Sequence, residues 1–297
     1  MHHCKIGLAA YIYSSTATGT GEKSINSRVA ITRTMDAARW PRTPASTAWK
    51  PMTEMTTYEI NLDALPATFL DILGVPVPDD LPPAFAPVSE QFKAERIVFA
   101  LFDNLGLFEL SQYKPGFLIE YSNALALLNT KNPYTLGVLH QIMYGGLLPR
   151  IGHPYKEGFH LLKYLNDQGM KTTMIGRPKD LRRYSGNTEE RVKDSDMATW
   201  VEAARVINTY NLSWLHFLDF EGLAAQAKAR GQDLDELVKR LLLRTDKWMT
   251  SMHKQLRQNT LLVICGDHGR FKLDVSGNDK TAMMRAASVP VAVFIKK

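Results

Sequence analysis

Asp267 and His268 stand side by side between Gly266 and Gly269, directly after the apolar run at residues 260–265 (TLLVIC). Such a run reads as a buried strand, and a carboxylate and an imidazole at its end, with no bulky neighbour, offer oxygen and nitrogen ligands to a divalent cation. Taken alone, the same residues also read as a polar turn in which Asp267 caps and His268 meets water. Two more aspartates stand at or just past strand-like ends: Asp103 follows RIVFALF (96–102), and Asp219 lies near the end of SWLHFLDF (213–220). Three carboxylates and an imidazole suit one or two cations that polarise a phosphoryl oxygen or activate a nucleophile. The nucleophile such chemistry needs is Thr135, at the start of a helical pattern whose first backbone amides are open to an anion, with Thr130 as its nearest rival.

The elements that must position these residues follow from periodicity. Strand-like runs at 96–102, 171–176, 213–220, 260–265 and 289–295 are separated by helical patterns at 136–144, 156–168, 195–208 and 233–258. Strands alternating with helices predict a three-layer α/β/α sandwich with a mainly parallel central sheet, which binds ligands at the carboxyl ends of its strands. Residues 60–74 form a short amphipathic helix closed by Gly74, and a proline-rich connector runs on to Pro87. Residues 14–54 are rich in Ser, Thr, Ala and Arg, contain Pro41, Pro44 and Pro51, and lack a sustained period. The division expected is therefore a flexible extension over 1–58 and one catalytic domain over 59–297.

Composition excludes several classes. The 297 residues are 45% hydrophobic and 22% charged, ordinary for a globular protein with a large core. The net charge of +6 comes from basic residues interspersed with acidic ones, so no nucleic-acid-binding module is evident. Cys4 and Cys265 are too few and too distant for a disulfide framework or a CxxC metal site. No apolar run reaches membrane-spanning length and no convincing signal peptide opens the chain, which makes the cytoplasm the default location. The basic segment at 175–186 (IGRPKDLRRYSG) reads as a solvated loop or an anion contact. His140 and His153 are given helix-face and turn roles, and Trp200, Trp214 and Trp248 are expected to fill helix–sheet contacts.

The order of these features resembles the alkaline phosphatase superfamily, particularly its small phosphodiesterase and nucleotide pyrophosphatase-like members, over about residues 60 to 293. FDNLG (102–106) is similar to the family's first-strand DGLG or DGxR, which points to Asp103. Thr135 stands ten residues before Gly145, as the nucleophile does in the phosphodiesterase members. LDFEGL (218–223) resembles DxxGH at Asp219 and Gly222, GDHG (266–269) resembles SDHG or ADHG, and INLDALPATFLDILGVP (60–76) resembles a leader seen ahead of the first strand.

The resemblance implies a first metal site of Asp103, Thr135, Asp267 and His268, and a second around Asp219. In the second, Leu223 replaces the DxxGH histidine, and Asn278 or Asp279 stands where a late histidine is expected. Glu221, His216 and Asp279 are possible substitutes; Glu221 as a solvated loop residue and His216 as a satisfied strand histidine are the competing readings. The implied function is a metal-dependent hydrolase of phosphate esters, a phosphodiesterase or phosphatase, acting on a phosphorylated small molecule with Thr135 as nucleophile. Asn104 would contact a non-bridging oxygen. The cofactor implied is zinc, with manganese or magnesium as alternatives, and one ion rather than two. The competing reading is a catalytically impaired member that binds an anion or a partner protein.

Overall fold

The computed structural model describes residues 13–14, 61–147, 158–270 and 280–297. Eight strands form one sheet: β1 (Tyr13–Ser14), β2 (Arg96–Phe102), β3 (Ala124–Asn129), β4 (Thr172–Gly176), β5 (Glu189–Val192), β6 (Leu212–Phe217), β7 (Thr260–Gly266) and β8 (Ser288–Lys296). Their spatial order is β1-β3-β8-β7-β2-β6-β4-β5. Strands β7, β2, β6, β4 and β5 are mutually parallel, and β8 is antiparallel to both β7 and β3.

The central strands are apolar on both faces because each face is covered. Along β2, Ile97, Phe99 and Leu101 enter one core, while Val98, Ala100 and Phe102 enter the other. The first core is closed by helices Leu65–Ile72, Thr135–Tyr144 and Leu161–Asp167, the second by Asp196–Val206, Leu223–Arg230 and Leu234–Gln255. The molecule is therefore the expected three-layer sandwich with a mostly parallel sheet. Trp214 packs edge-on against Phe99, with ring centres 4.6 Å apart, whereas Trp200 and Trp248 stack on each other at 5.5 Å.

Several elements differ from the sequence expectation. Residues 124–128 (ALALL) are helix formers but fold within β3, because the pairing with β8 overrides weak local preference. The 289–295 run is a strand, yet it enters the sheet antiparallel. The basic segment at 175–186 is not a loop: Pro178–Tyr184 is a helix with proline in its first turn, and it exposes Arg182 and Arg183. Tyr13–Ser14, assigned to the N-terminal extension or its edge, pairs antiparallel with β3. The rest of 1–58, His153 and the Asn278–Asp279 pair lie outside the described residues. Among the described residues no helix is long and apolar enough to cross a membrane.

Candidate metal centre

The register of β2 and β7 pairs Phe102 with Gly266, so Asp103 and Asp267 leave the sheet at the same level. The amide of Asp267 donates to Phe102 O at 3.1 Å, and that of Asp103 donates to Phe217 O at 2.9 Å, carrying the pairing one step past each strand. Glycine is required at 266, where a Cβ would come within 1.7 Å of the Leu105 carbonyl oxygen. Asn104 adopts a left-handed turn with φ of 58°, which aims its backbone amide at Asp267 Oδ1, 2.8 Å away. The His268 amide donates to the same oxygen at 2.6 Å. Two fixed donors thus orient the carboxylate and leave its Oδ2 buried without a hydrogen bond.

His268 Nδ1 lies 3.0 Å from the carbonyl oxygen of Gly269. A carbonyl only accepts, so Nδ1 carries the hydrogen, and in the neutral ring Nε2 turns a lone pair to the site. Nε2 is 3.4 Å from Asp267 Oδ2, 4.0 Å from Asp103 Oδ1 and 3.5 Å from Thr135 Oγ1. The Thr135 hydroxyl donates to Asp103 Oδ2 at 3.0 Å, while Asp103 Oδ1 is buried without a partner. One ligand atom from each of Asp103, Asp267 and His268 falls within 4.8 Å of the others. Burial, then repulsion from Asp267, pushes the pKa of Asp103 up to about 7. Burial likewise raises Asp267 to about 7. Two desolvated carboxylates with unpartnered oxygens and an imidazole lone pair form a donor set that a divalent cation fits, both by charge and by ligand type.

Thr135 is the first residue of the Thr135–Tyr144 helix. The first hydrogen bond to that turn is Val138 N to Tyr134 O at 3.0 Å, so the amides of residues 135–137 lack an intrahelical acceptor beside the hydroxyl. Thr130, the rival, is turned away: its buried hydroxyl accepts from Gln141 Nε2 at 3.0 Å and from the Asn132 amide at 3.3 Å. His140 lies on the buried side of this helix, stacked on Tyr144, and burial lowers its pKa to about 4.

Supporting groups come from distant parts of the chain. Glu109, fully buried, accepts from Gly106 N at 3.1 Å, Arg270 Nε at 2.9 Å and Arg285 Nη2 at 2.8 Å. It thereby ties the turn after His268 to the helix Leu107–Tyr113. His216, weighed as a satisfied strand histidine, is held at Nδ1 by Asp180 Oδ2 at 3.0 Å, but its buried Nε2 has no hydrogen bond. Burial opposes protonation of His216; the bond to Asp180 and the fields of Asp180, Asp103 and Asp267 outweigh it and raise its pKa. Neither Glu109 nor Asp180 carries a motif, and only their position in the fold reveals them.

Asp219 is not brought into the cluster. Arg244 Nη2 donates to its Oδ2 at 2.7 Å, and Arg177 Nη2 lies 3.7 Å from its Oδ1. Its amide and that of Leu218 are fixed by the carboxylate of Asp196, at 2.8 and 2.9 Å. Leu223 packs in the second core, and Glu221 is exposed in the preceding turn. At Asn104 it is the backbone amide that makes the contact to Asp267.

No family sequence model and no curated protein matches the chain. Solved structures do share its architecture. An alkaline phosphatase superfamily protein from Vibrio parahaemolyticus is 12% identical, with a TM-score of 0.51 over 79% of this chain and 69% of its own. A 2-O GAG sulfatase is 10% identical, with a TM-score of 0.53 over 68% and 64%. The periplasmic domain of EptC from Escherichia coli is 17% identical, with a TM-score of 0.48 over 69% and 73%. With its two covered faces and its likeness to the Vibrio parahaemolyticus protein and the sulfatase, the chain has the fold of the alkaline phosphatase superfamily.

Proposed function

We propose that this protein is a metal-dependent hydrolase of small-molecule phosphate esters, a phosphodiesterase or phosphatase, with Thr135 as nucleophile. Asp103, Asp267 and His268 would hold one divalent cation, zinc before manganese or magnesium, because two carboxylates, an imidazole and the threonine oxygen make a four-donor N/O set. The observation that carries the reading is the Thr135 hydroxyl, 3.0 Å from Asp103 Oδ2 and 3.5 Å from His268 Nε2 at an open helix start. A bound cation supplies Lewis acidity, lowering the hydroxyl pKa and polarising the phosphoryl group. Asp103 orients the hydroxyl, and the free amides at the helix start receive the non-bridging oxygens that gain charge in the transition state. A single ion is favoured because Arg244 already neutralises Asp219.

The test is turnover of aryl phosphate mono- and diesters by purified protein loaded with zinc, manganese or magnesium. Absence of turnover with every metal, or full activity in Thr135→Ala, refutes the reading. The Arg244–Asp219 pair together with Leu223 favours a second reading, an impaired member that binds an anion without turning it over. That reading predicts anion binding with no metal-dependent hydrolysis.

A further inference from the structure

Beside the carboxylate cluster, at the ends of β4 and β6, lies a cleft of about 600 Å³ whose walls carry Arg177, Arg240 and Arg244. It is one strand away from Asp103, whose amide bonds the β6 carbonyl of Phe217 two residues before Asp219. Its volume falls in the range of about 300–1,000 Å³ typical of small-molecule sites. Three guanidinium groups face two carboxylates there, those of Asp219 and Glu221.

The arginines keep donors to spare. The contacts of Arg177 Nη2 to Asp196 and Asp219, 3.6 and 3.7 Å, are longer than hydrogen bonds. Arg244 spends Nη2 on Asp219, and its guanidinium lies 4.1 Å over the Trp248 ring, which orients the fork. Arg240 is exposed and in no ion pair among the described residues. Leu223, with Leu237 and Leu241 on the same helix as Arg240 and Arg244, adds apolar surface to the lining beside these donors. Oriented guanidinium donors suit a planar or tetrahedral oxyanion, and the leucines suit a hydrophobic body attached to it.

We propose that this cleft binds a second oxyanion group, phosphate or carboxylate, carried on an apolar body, and so selects substrates with an anion beyond the phosphoryl group that is transferred. The assignment to substrate rests on the hydrolase reading above; the binding site itself does not.

The experiment separates the two. Phenyl phosphate and inorganic phosphate are titrated calorimetrically into metal-free Thr135→Ala protein, in which ester is not consumed, and the Arg240→Ala comparison separates binding in the cleft from binding at the metal centre. Expected is saturable binding of one phenyl phosphate per chain, tighter than inorganic phosphate, and weakened about tenfold by adding Arg240→Ala, as for one charge-assisted hydrogen bond. Arg240 is exposed, so this variant keeps the fold, as circular dichroism will show. Absence of saturable binding, or unchanged affinity in the Arg240→Ala background, overturns the proposal; inorganic phosphate binding as tightly as phenyl phosphate overturns the role of the leucines. If Arg240-dependent binding persists while the metal-loaded wild type hydrolyses no ester, the cleft stands and the hydrolase reading falls.

Discussion

Arg244 holds Asp219 through a 2.7 Å hydrogen bond from Nη2 to Oδ2, with its guanidinium laid over the Trp248 ring. A fixed cation therefore balances Asp219, which stands outside the Asp103–Asp267–His268 cluster. On the proposed reading, the expected stoichiometry is one metal ion per chain. Metal analysis after equilibration with zinc should give one ion for the wild type and for Asp219→Asn. For Asp267→Asn the affinity should fall by about 100-fold or more, since a ligand is lost as well as its charge. Two tightly held ions in the wild type would contradict this account.

Thr135 and Thr130 are separated by what their hydroxyls touch. Thr135→Ala should lower kcat/KM by about 1,000-fold or more, while Thr135→Ser retains an attacking hydroxyl and a measurable rate. Thr130→Ala should leave the rate nearly unchanged, yet cost about 1–3 kcal/mol in urea unfolding, because the buried Gln141 amide loses one of its two acceptors and keeps only Gly137 O. The reverse pattern would make Thr130 the nucleophile.

The carboxylate pair sets a pH dependence of stability in the metal-free protein. Burial and mutual repulsion raise proton binding by the coupled Asp103–Asp267 pair toward about pH 7 in the folded state, against about pH 4 when unfolded, so the folded protein holds more protons between these values. Stability must then fall as pH rises through that window. From about pH 5 to about pH 8 the melting temperature of the wild type should drop relative to Asp267→Asn, which cannot ionise there. Saturating zinc should raise the wild-type melting temperature most at the upper end, where the carboxylates are already unprotonated. A wild-type curve parallel to that of Asp267→Asn would show that the pair is not desolvated as described.

Gly266 is the tightest packing point of the site. A methyl group there would meet the Leu105 carbonyl at 1.7 Å, and Asn104 beside it is held by the Asp267 carboxylate, so the backbone cannot yield without moving a ligand. Gly266→Ala should therefore cost about 3 kcal/mol or more and weaken metal binding with it. Chemical denaturation and metal titration of the same variant measure both effects; loss of stability with unchanged affinity would uncouple the turn from the centre.

The strands β2, β4, β6, β7 and β8 and the long helices were legible in the sequence, because apolar periodicity and strand-end aspartates are local patterns that burial imposes directly. So were the three-layer fold and the residues Asp103, Thr135, Asp267 and His268, which the structure gathers within hydrogen-bonding or near-contact distances. The strand β3 was not legible, since Ala and Leu become a strand there only by pairing with β8. Nor were the partners of the site: Glu109 meets Arg270 from 161 positions away, Asp180 meets His216 from 36, and Arg244 meets Asp219 from 25. Along the chain these are unremarkable charges on helices. What each one neutralises depends on strand register and on close approaches such as Gly266 against Leu105, which exist only once the chain has packed. The sequence by itself determined most of the elements and the ligand-type side chains at their ends; the tertiary structure decided that Asp267 and His268 lie together with Asp103 while Asp219 is held by arginines, because charge pairing in a desolvated site is a property of distances across the fold.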